Sequence, residues 1–482
     1  MSTKVSYKGA QIAQVDTQQT KTLLTAGKYC EDDFTLANDD NPRAGDNDVI
    51  FIDYDGTICY SYSASEFLEL AALPPVLPDK SFADRGWTWT LKSQEWNWNL
   101  ADAKEYVGKY GMIVIGQLRE PSDHATHFIT EVFESAGGEI SFEVKQITAN
   151  TIRVNWGDGS QTETSASTGD FYFTHQYAAA GIYDIAVFFT ANVGNQFQPN
   201  GFGTGMFRLY HLREAYLGQY AKAYYFFQAM KKLRHISFWN GYSHTGQNEF
   251  TDNASLEAAV LPSTDNLNAQ DFRECVRMRY ISLPKNLTIN SVQATFYQCK
   301  SLEKITLPET VVSFSPYALQ QATAIQDITI PDAVTSLNIY TLSDMRSVQR
   351  LILPSSLTNI NSAGSISGAP YLMELIFNST SPPAIGASNS VQLPSNNYVS
   401  TKIYVPFSAL ADYLTATNYP NPATYTYIGF AAYASGATLP TQDGTAAYNV
   451  TWYATKGDAI AQTNAITEGN GKEIYCRYTA VA

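Results

Sequence analysis

Two carboxylates stand two residues apart directly after an apolar stretch near the start of the chain. Val49-Ile-Phe-Ile52 is followed by Asp53-Tyr-Asp55-Gly56. Carboxylates of this kind serve proteins as nucleophiles or as ligands of divalent metal ions. The same residues also fit a strand, an Asp-Gly turn and a second strand from Ile58 to Tyr62.

This segment resembles the first motif of haloacid-dehalogenase-type phosphatases. The resemblance implies Asp53 as nucleophile and Asp55 as general acid-base beside Mg²⁺. The family also needs a later Lys and a distal acidic pair on a Rossmann-like sheet. Here the strand-and-helix alternation gives way to Trp-rich sequence at 86–98, and no Gly-Asp-x-x-x-Asp motif follows within the module. The strand-turn-strand interpretation is therefore favoured, and a phosphatase is kept as a remote alternative.

No other group of residues has the spacing of a catalytic or metal site. The six histidines do not form a ligand pattern, and the five cysteines are scattered at Cys30, Cys59, Cys275, Cys299 and Cys476. We therefore expect no enzymatic activity, no catalytic, metal or cofactor-binding residues, and no cofactor.

A short apolar pattern returns eight times between about Met206 and Phe377. Each copy has a large apolar residue six positions before an anchor and two more apolar residues at plus three and plus five. The anchors, repeats 1 to 8, are Leu212, Leu233, Leu256, Met278, Leu302, Ile325, Val348 and Leu372. A repeat of 21 to 24 residues predicts a solenoid of stacked β-strands.

Side chains of a strand alternate, so plus three and plus five should face inward and plus two and plus four outward. Inward examples are Ile281 and Leu283. The candidate ligand-facing surface is drawn from the outward positions: Tyr216, His235, Tyr280, Lys304 and Thr306. The alternative, which is favoured for the aromatic residues of the first repeats, is that they pack the junction with the preceding domain, residues 137–200, as an N-terminal cap.

The clearest copy, Phe296-Tyr-Gln-Cys299-Lys-Ser-Leu302-Glu-Lys-Ile305-Thr-Leu307-Pro308, resembles the BspA-type leucine-rich repeat. That family occurs in bacterial adhesins and in phage-encoded surface proteins. Cys275 and Cys299 occupy equivalent positions and are interpreted as buried apolar thiols.

Residues 137–200 carry three motifs in order: Trp156-Gly-Asp158-Gly, His175-x-Tyr177 and Gly181-x-Tyr183. They resemble the polycystic-kidney-disease-type (PKD-like) domain, and the resemblance implies a β-sandwich that acts as a spacer or a binding surface. Val154 and Trp156 are expected in its core. Asp158 is expected to form a turn rather than to bind Ca²⁺.

The predicted fold class is multi-domain and mainly β: a leucine-rich-repeat solenoid, a PKD-like β-sandwich, a small α+β module and small terminal β modules. The predicted borders are 1–48 for an N-terminal docking segment and linker, 49–136 for the α+β module, 137–200 for the sandwich, 201–378 for the solenoid, 379–430 for its C-terminal cap and 431–482 for a small Ig-like β module.

The formal charge of -14 argues against nucleic-acid binding, and no apolar run is long enough to insert in a membrane. The first residues lack the apolar core of a signal peptide. Residues 25–34 resemble N-terminal modules of tail and baseplate proteins from phages and prophages of Gram-positive gut bacteria. We therefore expect a non-enzymatic virion protein, assembled as a homo-oligomer, that docks to other tail or baseplate proteins through residues 1–48 and meets a host-surface glycan or protein. A bacterial cell-surface adhesin is the alternative.

Overall fold

The structure is a computed structural model of the 482-residue chain. It describes residues 2–7, 10–16, 48–75, 87–88, 98–117, 119–121, 123–133, 139–146, 150–166, 168–191, 196–198, 209, 211–239, 242, 248–262, 267–285, 294–314, 316–360, 363–394 and 399–481. The chain forms two compact units, Gly45–Val311 (the first unit) and Met1–Ala44 with Val312–Ala482 (the second unit).

The described residues of the N-terminal segment form an antiparallel strand pair, β1 (Ser2–Tyr7) and β2 (Ala10–Asp16). The sequence predicts short strands at 11–15, 21–25 and 34–36. The first of them lies within β2. The other strands predicted for this segment, at 21–25 and 34–36, lie outside the described residues.

The first unit begins with a small α/β module. In it, helices connect an antiparallel strand pair to a third strand, which lies beside the first strand of the pair. Its elements are β3 (Val49–Ile52), β4 (Ile58–Tyr62), α1 (Ala64–Glu69), β5 (Trp87–Thr88), α2 (Leu100–Tyr110), β6 (Ile113–Gly116) and β7 (Glu120–Pro121). The sheet order is β4-β3-β6, with β3 antiparallel to β4 and parallel to β6, while β5 pairs with β7. The predicted strand, Asp-Gly turn and second strand are confirmed.

The sequence predicts two helices in this module: 63–72, from the capping-box spacing of Ser63 and Glu66, and 99–107, from apolar residues at helical spacing before Gly108. Both form, and local chemistry explains their ends. Ser63 and Glu66 make a reciprocal capping box at the start of α1. The Asn99 side chain accepts from the Asp102 N–H at the start of α2. Gly111, at φ +76°, ends α2, so the helix runs one turn beyond the predicted stop at Gly108.

The central strand β3 is buried on both faces. Val49 and Phe51 pack with α2 on one side, whereas Ile50 and Ile52 pack with Val260 and Tyr280 of the repeats on the other. A strand that is apolar at every position has this environment, because its two faces both need a covering layer. The sheet of this module therefore lies between the module's own helices and the repeat array.

A two-sheet β-sandwich follows. Its strands are β8 (Thr126–Val132), β9 (Glu139–Gln146), β10 (Asn150–Asn155), β11 (Gln161–Ala166), β12 (Gly169–Gln176), β13 (Gly181–Phe189) and β14 (Gln196–Gln198). The predicted border at 136/137 is misplaced, because β8 pairs along its whole length with β13 and belongs to the sandwich.

The sandwich core is the one expected from its motifs. Val154 and Trp156 are fully buried. The Tyr177 hydroxyl donates to the Trp156 carbonyl at 2.7 Å, and the Tyr183 hydroxyl donates to the Ala179 carbonyl at 2.8 Å. The two tyrosines thus tie corners of the sandwich through their hydroxyls. Its relation to PKD-type domains stays a prediction.

Repeats 1 to 5 lie in the first unit and contribute one short strand each: β15 (Leu212–Tyr216), β17 (His235–Ser237), β18 (Ala258–Val260), β19 (Tyr280–Ser282) and β20 (Lys304–Ile305), with β16 (Lys222–Ala223) on a second side. β15 pairs in parallel with β17, and β18, β19 and β20 pair in parallel in that order, which confirms the solenoid. The sandwich sheets continue into the array in the orders β11-β10-β13-β8-β15-β17 and β12-β9-β14-β16, so the sandwich closes the edge of repeat 1.

The predicted inward residues of these repeats are buried, and a ladder of phenylalanine rings runs through them. Phe227, Phe250, Phe272 and Phe296 stack face to face with centroid separations of 5.8, 5.1 and 6.1 Å. These are the positions six before each anchor. In each of repeats 2 to 5 a non-glycine residue four before the anchor has a positive φ, for example Gln298 at 61°, which lets the chain turn between two inward positions.

Repeats 6 to 8 lie in the second unit. Their strands are β21 (Asp327–Thr329), β22 (Ser336–Leu337), β23 (Leu342–Ser343), β24 (Arg350–Leu353), β25 (Asn359–Ile360), β26 (Ile366–Ser367), β27 (Glu374–Phe377) and β28 (Ala384–Ile385). They stack as three parallel sheets, β21-β24-β27, β22-β25-β28 and β23-β26.

The C-terminal residues extend the first of these sheets instead of forming a separate module. The elements are β29 (Lys402–Pro406), a 3-10 turn (Phe407–Ala409), α3 (Leu410–Thr415), β30 (Thr426–Ala432), β31 (Tyr448–Tyr453), α4 (Lys456–Ala461), β32 (Ala465–Ile466) and β33 (Glu473–Ala480). One sheet runs β21-β24-β27-β29-β30-β33-β31-β32. The predicted border at 430/431 falls inside β30, and α4 was not predicted.

Candidate functional surface

The structure separates the five predicted ligand-facing residues into two groups. Tyr216, Tyr280 and Thr306 are buried, at 1%, 4% and 1% exposure. His235 and Lys304 keep part of their surface in contact with solvent. All five lie at plus two or plus four from their anchors, on what is called here the outer strand face of the repeats.

The α/β module, residues 48–121, covers the outer strand face in the first unit and is called here the cover module. Near repeats 1 and 2, the Tyr54 ring packs edge-on against Tyr216 at 5.6 Å and against His235 at 6.0 Å. Tyr54, Tyr216 and Ile129 of the sandwich form one buried apolar cluster. Tyr216 thus packs a junction at the start of the repeats, but against Tyr54 of the cover module as well as against the sandwich, to which the alternative assigned it.

Over repeats 3 to 5 the cover module touches the array with main-chain atoms. The Gly116 N–H donates to the Ser282 hydroxyl at 2.7 Å, and the Val114 N–H donates to the Thr306 hydroxyl at 2.6 Å. Ser282 and Thr306 are the plus-four residues of consecutive repeats. Strand β6 therefore lies across the repeat strands, with one donor for each.

Helix α2 and Trp98, which lies just before it, anchor the cover module to repeats 4 and 5. The Trp98 indole donates to the Leu283 carbonyl at 3.1 Å, and the buried Tyr106 hydroxyl donates to the Leu307 carbonyl at 3.0 Å. Lys109 forms an ion pair with Glu309 at 2.6 Å. The Tyr110 hydroxyl also donates to Glu309, and burial raises the pKa of Tyr110 to about 12.

The prediction of an exposed ligand surface is therefore wrong for Tyr216, Tyr280 and Thr306, and it stays a prediction for His235 and Lys304. Sequence reasoning assumed that outward positions face solvent, but here a second layer covers them. One signal was available: Val49 to Ile52 is apolar at every position, which calls for a covering layer on both faces of that strand.

The two motif carboxylates have structural roles. Asp53 is buried and receives a bidentate pair of hydrogen bonds from Arg119, at 2.9 and 2.5 Å. Burial raises the pKa of the Asp53 carboxyl, and the guanidinium of Arg119 opposes that shift. Asp55 accepts from the Thr57 N–H at 2.9 Å and so shapes the turn. The Asp53–Arg119 pair therefore fixes this turn to the segment that leads from β6 to the sandwich.

Two histidines are also bound by carboxylates. The His127 ring lies between Asp184, 2.8 Å from Nδ1, and Asp123, 3.1 Å from Nε2. Burial lowers the pKa of His127, but the hydrogen bonds and charges of the two carboxylates outweigh it and raise that pKa to about 9. His175 contacts Asp158 at 2.7 Å, and Ser160 donates to Asp158, which helps to lower the pKa of Asp158 to about 2. Asp158 shapes the predicted turn.

Within the described residues, no group of three or more His, Cys, Asp or Glu side chains is arranged to hold a metal ion. No helix in the described part of the chain has the length and apolar character needed to cross a membrane. Cys275 and Cys299 are free and fully buried, and burial raises the pKa of both thiols. They are buried thiols, as predicted.

In the second unit the outer strand face carries alternating charges at plus two. Asp327 and Arg350 approach to 3.4 Å. In the next repeat Glu374, nearly buried, pairs with Lys456 of α4 at 3.2 Å. Lys456 also lies 4.8 Å from the centre of the Tyr404 ring. The C-terminal residues thus pack onto the last repeat strands of this unit.

Comparison with known proteins identifies the repeats. Residues 223–294 and 265–380 match the model of the BspA type leucine rich repeat region, with six copies of the repeat. No curated protein sequence matches the chain.

Among solved structures, the Treponema pallidum leucine rich repeat protein TpLRR is 15% identical, covers 45% of this chain and 82% of its own, and has a TM-score of 0.23. A Bacteroides ovatus leucine-rich repeat protein is 14% identical, with coverages of 47% and 86% and a TM-score of 0.23. At these values the structures add no argument, and the assignment rests on the repeat model. Residues 223–380 of the chain are thus similar to the BspA-type leucine-rich repeat region.

Proposed function

We propose that this chain is a non-enzymatic protein of a phage particle, located in the tail or baseplate, that serves host attachment or structural decoration. One observation carries the proposal. In the first unit the repeats, the sandwich and the cover module pack into one compact unit. The motif carboxylate Asp53 binds Arg119 within it, and Asp55 accepts the Thr57 N–H of its own turn. Such an arrangement supports a rigid presenting scaffold better than a catalytic centre, which needs an accessible pocket with reactive groups.

The position on a particle is supported by the sequence of residues 25–34, which resembles tail and baseplate modules and lies outside the described residues. Residues 1–48 would dock to other virion proteins, and the chain would assemble as a homo-oligomer. The host-side ligand is a surface glycan or protein. The net charge of -14 makes a nucleic acid an unsuitable partner.

The experiment is to purify particles from a producing strain and to detect the chain by mass spectrometry and immunogold electron microscopy. We expect gold at one end of the particle, and we expect the purified soluble chain to compete with particles for adsorption to host cells. Particles that contain the chain but show no competition would support decoration instead of attachment.

A bacterial cell-surface adhesin is the second candidate, because BspA-type repeats occur in adhesins. It predicts that the chain is found in the cell-wall fraction of intact bacteria and is absent from purified particles. That result would overturn the virion proposal while leaving a non-enzymatic binding role in place.

A further inference from the structure

Two cations of the second unit stand on either side of one strand of the C-terminal sheet. Lys402 of β29 pairs in register with Thr426 of β30. On the opposite side of β30, Cys476 of β33 pairs with Gly429, and Arg477 is the next residue of β33. Lys402 and Arg477 therefore flank β30 in a chain whose formal charge is -14.

Both cations lie on the same face of this sheet. Tyr404 and Tyr475, which are two residues from Lys402 and from Arg477, pack with Ala459 of α4 in one apolar cluster. Side chains two residues apart on a strand share a face, so both cations lie on the side of α4. Arg477 contacts this helix directly, because its Nη1 donates to the Ala459 carbonyl at 3.3 Å.

Neither cation has a carboxylate partner among the described residues. Glu374 is the neighbour of Lys402 on β27, but it pairs with Lys456 at 3.2 Å. Lys402 Nζ donates to the Ser400 hydroxyl at 3.0 Å and forms no ion pair with a described residue. The same holds for the guanidinium of Arg477. Two positive charges on one face are thus left without an internal counter-charge.

The surroundings of the two cations have a cost that a bound anion would remove. Arg477 Nε is buried and has no acceptor within the described part of the chain. Burial and the charge of Arg477 lower the pKa of Lys402. An anion would accept from the guanidinium and neutralise both groups. The planar fork of an arginine matches two oxygens of a carboxylate or a phosphate.

We propose that Lys402 and Arg477, with the Thr426 hydroxyl between them, bind the oxyanion of an acidic glycan. This proposal rests on the host-attachment function proposed above and specifies the chemical class of the ligand: a sugar that carries a phosphate or a carboxylate. The three side chains are partly exposed, so such a group can reach them from solvent. The hydroxyls of Ser400 and Thr426 suit the hydroxyl groups of a sugar.

The test titrates the purified full-length chain with glucose-6-phosphate, with glucuronate and with neutral glucose by isothermal titration calorimetry. We expect saturable binding of the charged sugars, weakened by sodium chloride, and no binding of glucose. Binding of one charged sugar alone would also support the proposal and would identify the group as phosphate or carboxylate. The absence of binding for both would overturn it.

Variants locate the binding on this face. Lys402→Gln should weaken binding about tenfold, since it removes one charge-assisted contact. Arg477→Lys keeps the charge without the planar fork and should weaken binding as well. Lys472→Gln is the matched control, because it removes an exposed cation from the turn before β33, and it should bind as wild type does. Equal binding by wild type and Lys402→Gln would place the anion elsewhere and overturn the proposal.

Lys402→Gln is expected to fold, because it removes repulsion between like charges, and its thermal midpoint in chloride should be no lower than that of wild type. A measurement on wild type alone covers the case in which it does not fold. Sodium phosphate should raise the thermal midpoint above that in sodium chloride of equal ionic strength, and no increase would overturn the proposal.

These measurements use the purified chain and small sugars, so they are independent of the particle experiment. Absence of sugar binding would leave the location on a particle untouched. Absence of the chain from particles would leave the measured sugar binding in place.

Discussion

At the scale of single residues, three buried charged groups lie beside oppositely charged partners. Asp53 receives both hydrogen bonds from Arg119, His127 lies between Asp123 and Asp184, and Glu374 meets Lys456. Desolvating a charge is costly, so each of these groups is stable in the interior because its partner is close. Each of the three sites connects segments that are distant along the chain, and the charges therefore specify how those segments dock.

The His127 site predicts a loss of stability at alkaline pH. The pKa of His127 is raised to about 9 in the folded chain, against about 6.5 in an unfolded one. Its contribution is therefore complete below pH ~6.5 and is lost as the pH rises toward ~9, on the order of 3 kcal/mol. We expect the difference in free energy of unfolding between wild type and His127→Gln to shrink by that order between pH 6 and pH 9 in urea titrations. A difference that does not change with pH would mean that folding does not raise the pKa of His127.

Asp53→Ala should destabilise the first unit by about 3 kcal/mol, because it leaves the Arg119 guanidinium buried without its carboxylate. Asp55→Ala, the neighbouring control, removes only one acceptor in a turn and should cost about 1 kcal/mol. Urea unfolding of the two variants measures both values. Hydrolysis of p-nitrophenyl phosphate by wild type that is abolished in Asp53→Asn would restore the phosphatase alternative.

At the scale of elements, the phenylalanine ladder is the main internal support of repeats 2 to 5. Phe272 is fully buried and stacks on Phe250 and Phe296. Phe272→Ala should cost about 3 to 5 kcal/mol, because it leaves a cavity between two rings. Thermal unfolding followed by near-ultraviolet circular dichroism measures the loss.

The chain supplies its own control for this prediction. The equivalent positions in repeats 6 and 7 are Leu319 and Leu342, both buried. Phe272→Leu should therefore be tolerated with a loss of about 1 kcal/mol. Equal losses for the alanine and leucine variants would show that ring stacking, and not filled volume, determines stability at this position.

At the scale of the whole molecule, accessory segments pack onto the repeats within each unit. In the second unit, Lys456 of α4 joins the C-terminal residues to Glu374 of repeat 8. Lys456→Met should lower the urea midpoint of the repeats and of the C-terminal strands together, since one sheet contains both. The expected loss is on the order of 3 kcal/mol, because Glu374 is left buried without its cation.

The double variant Lys456→Met with Glu374→Leu is the matching control. Replacing both charges by apolar groups should recover most of the stability, as it does for other buried ion pairs. Separate transitions for the repeats and the C-terminal strands would contradict the single-sheet description.

The sequence by itself determined the local repeat structure, because those features depend on periods of two residues along a strand and of 21 to 24 along the chain. The inward residues, the anchors, the buried thiols Cys275 and Cys299, and the strand-turn-strand at Asp53 follow from such periods and from turn chemistry. Where the repeats join other elements, the sequence was less informative: β8 was assigned to the wrong module, and α4 was missed.

What lies on the outer strand face was decided only by the tertiary structure. The alternation of side chains along a strand predicts that Tyr280 and Thr306 point away from the repeat core. It does not predict whether water or another layer of the protein contacts them. The answer depends on residues some 200 positions away, such as Val114, Tyr106 and Gly116. Contacts between segments so distant in sequence leave no periodic signal in either one, and docking geometry alone turns an apparent ligand surface into an internal interface.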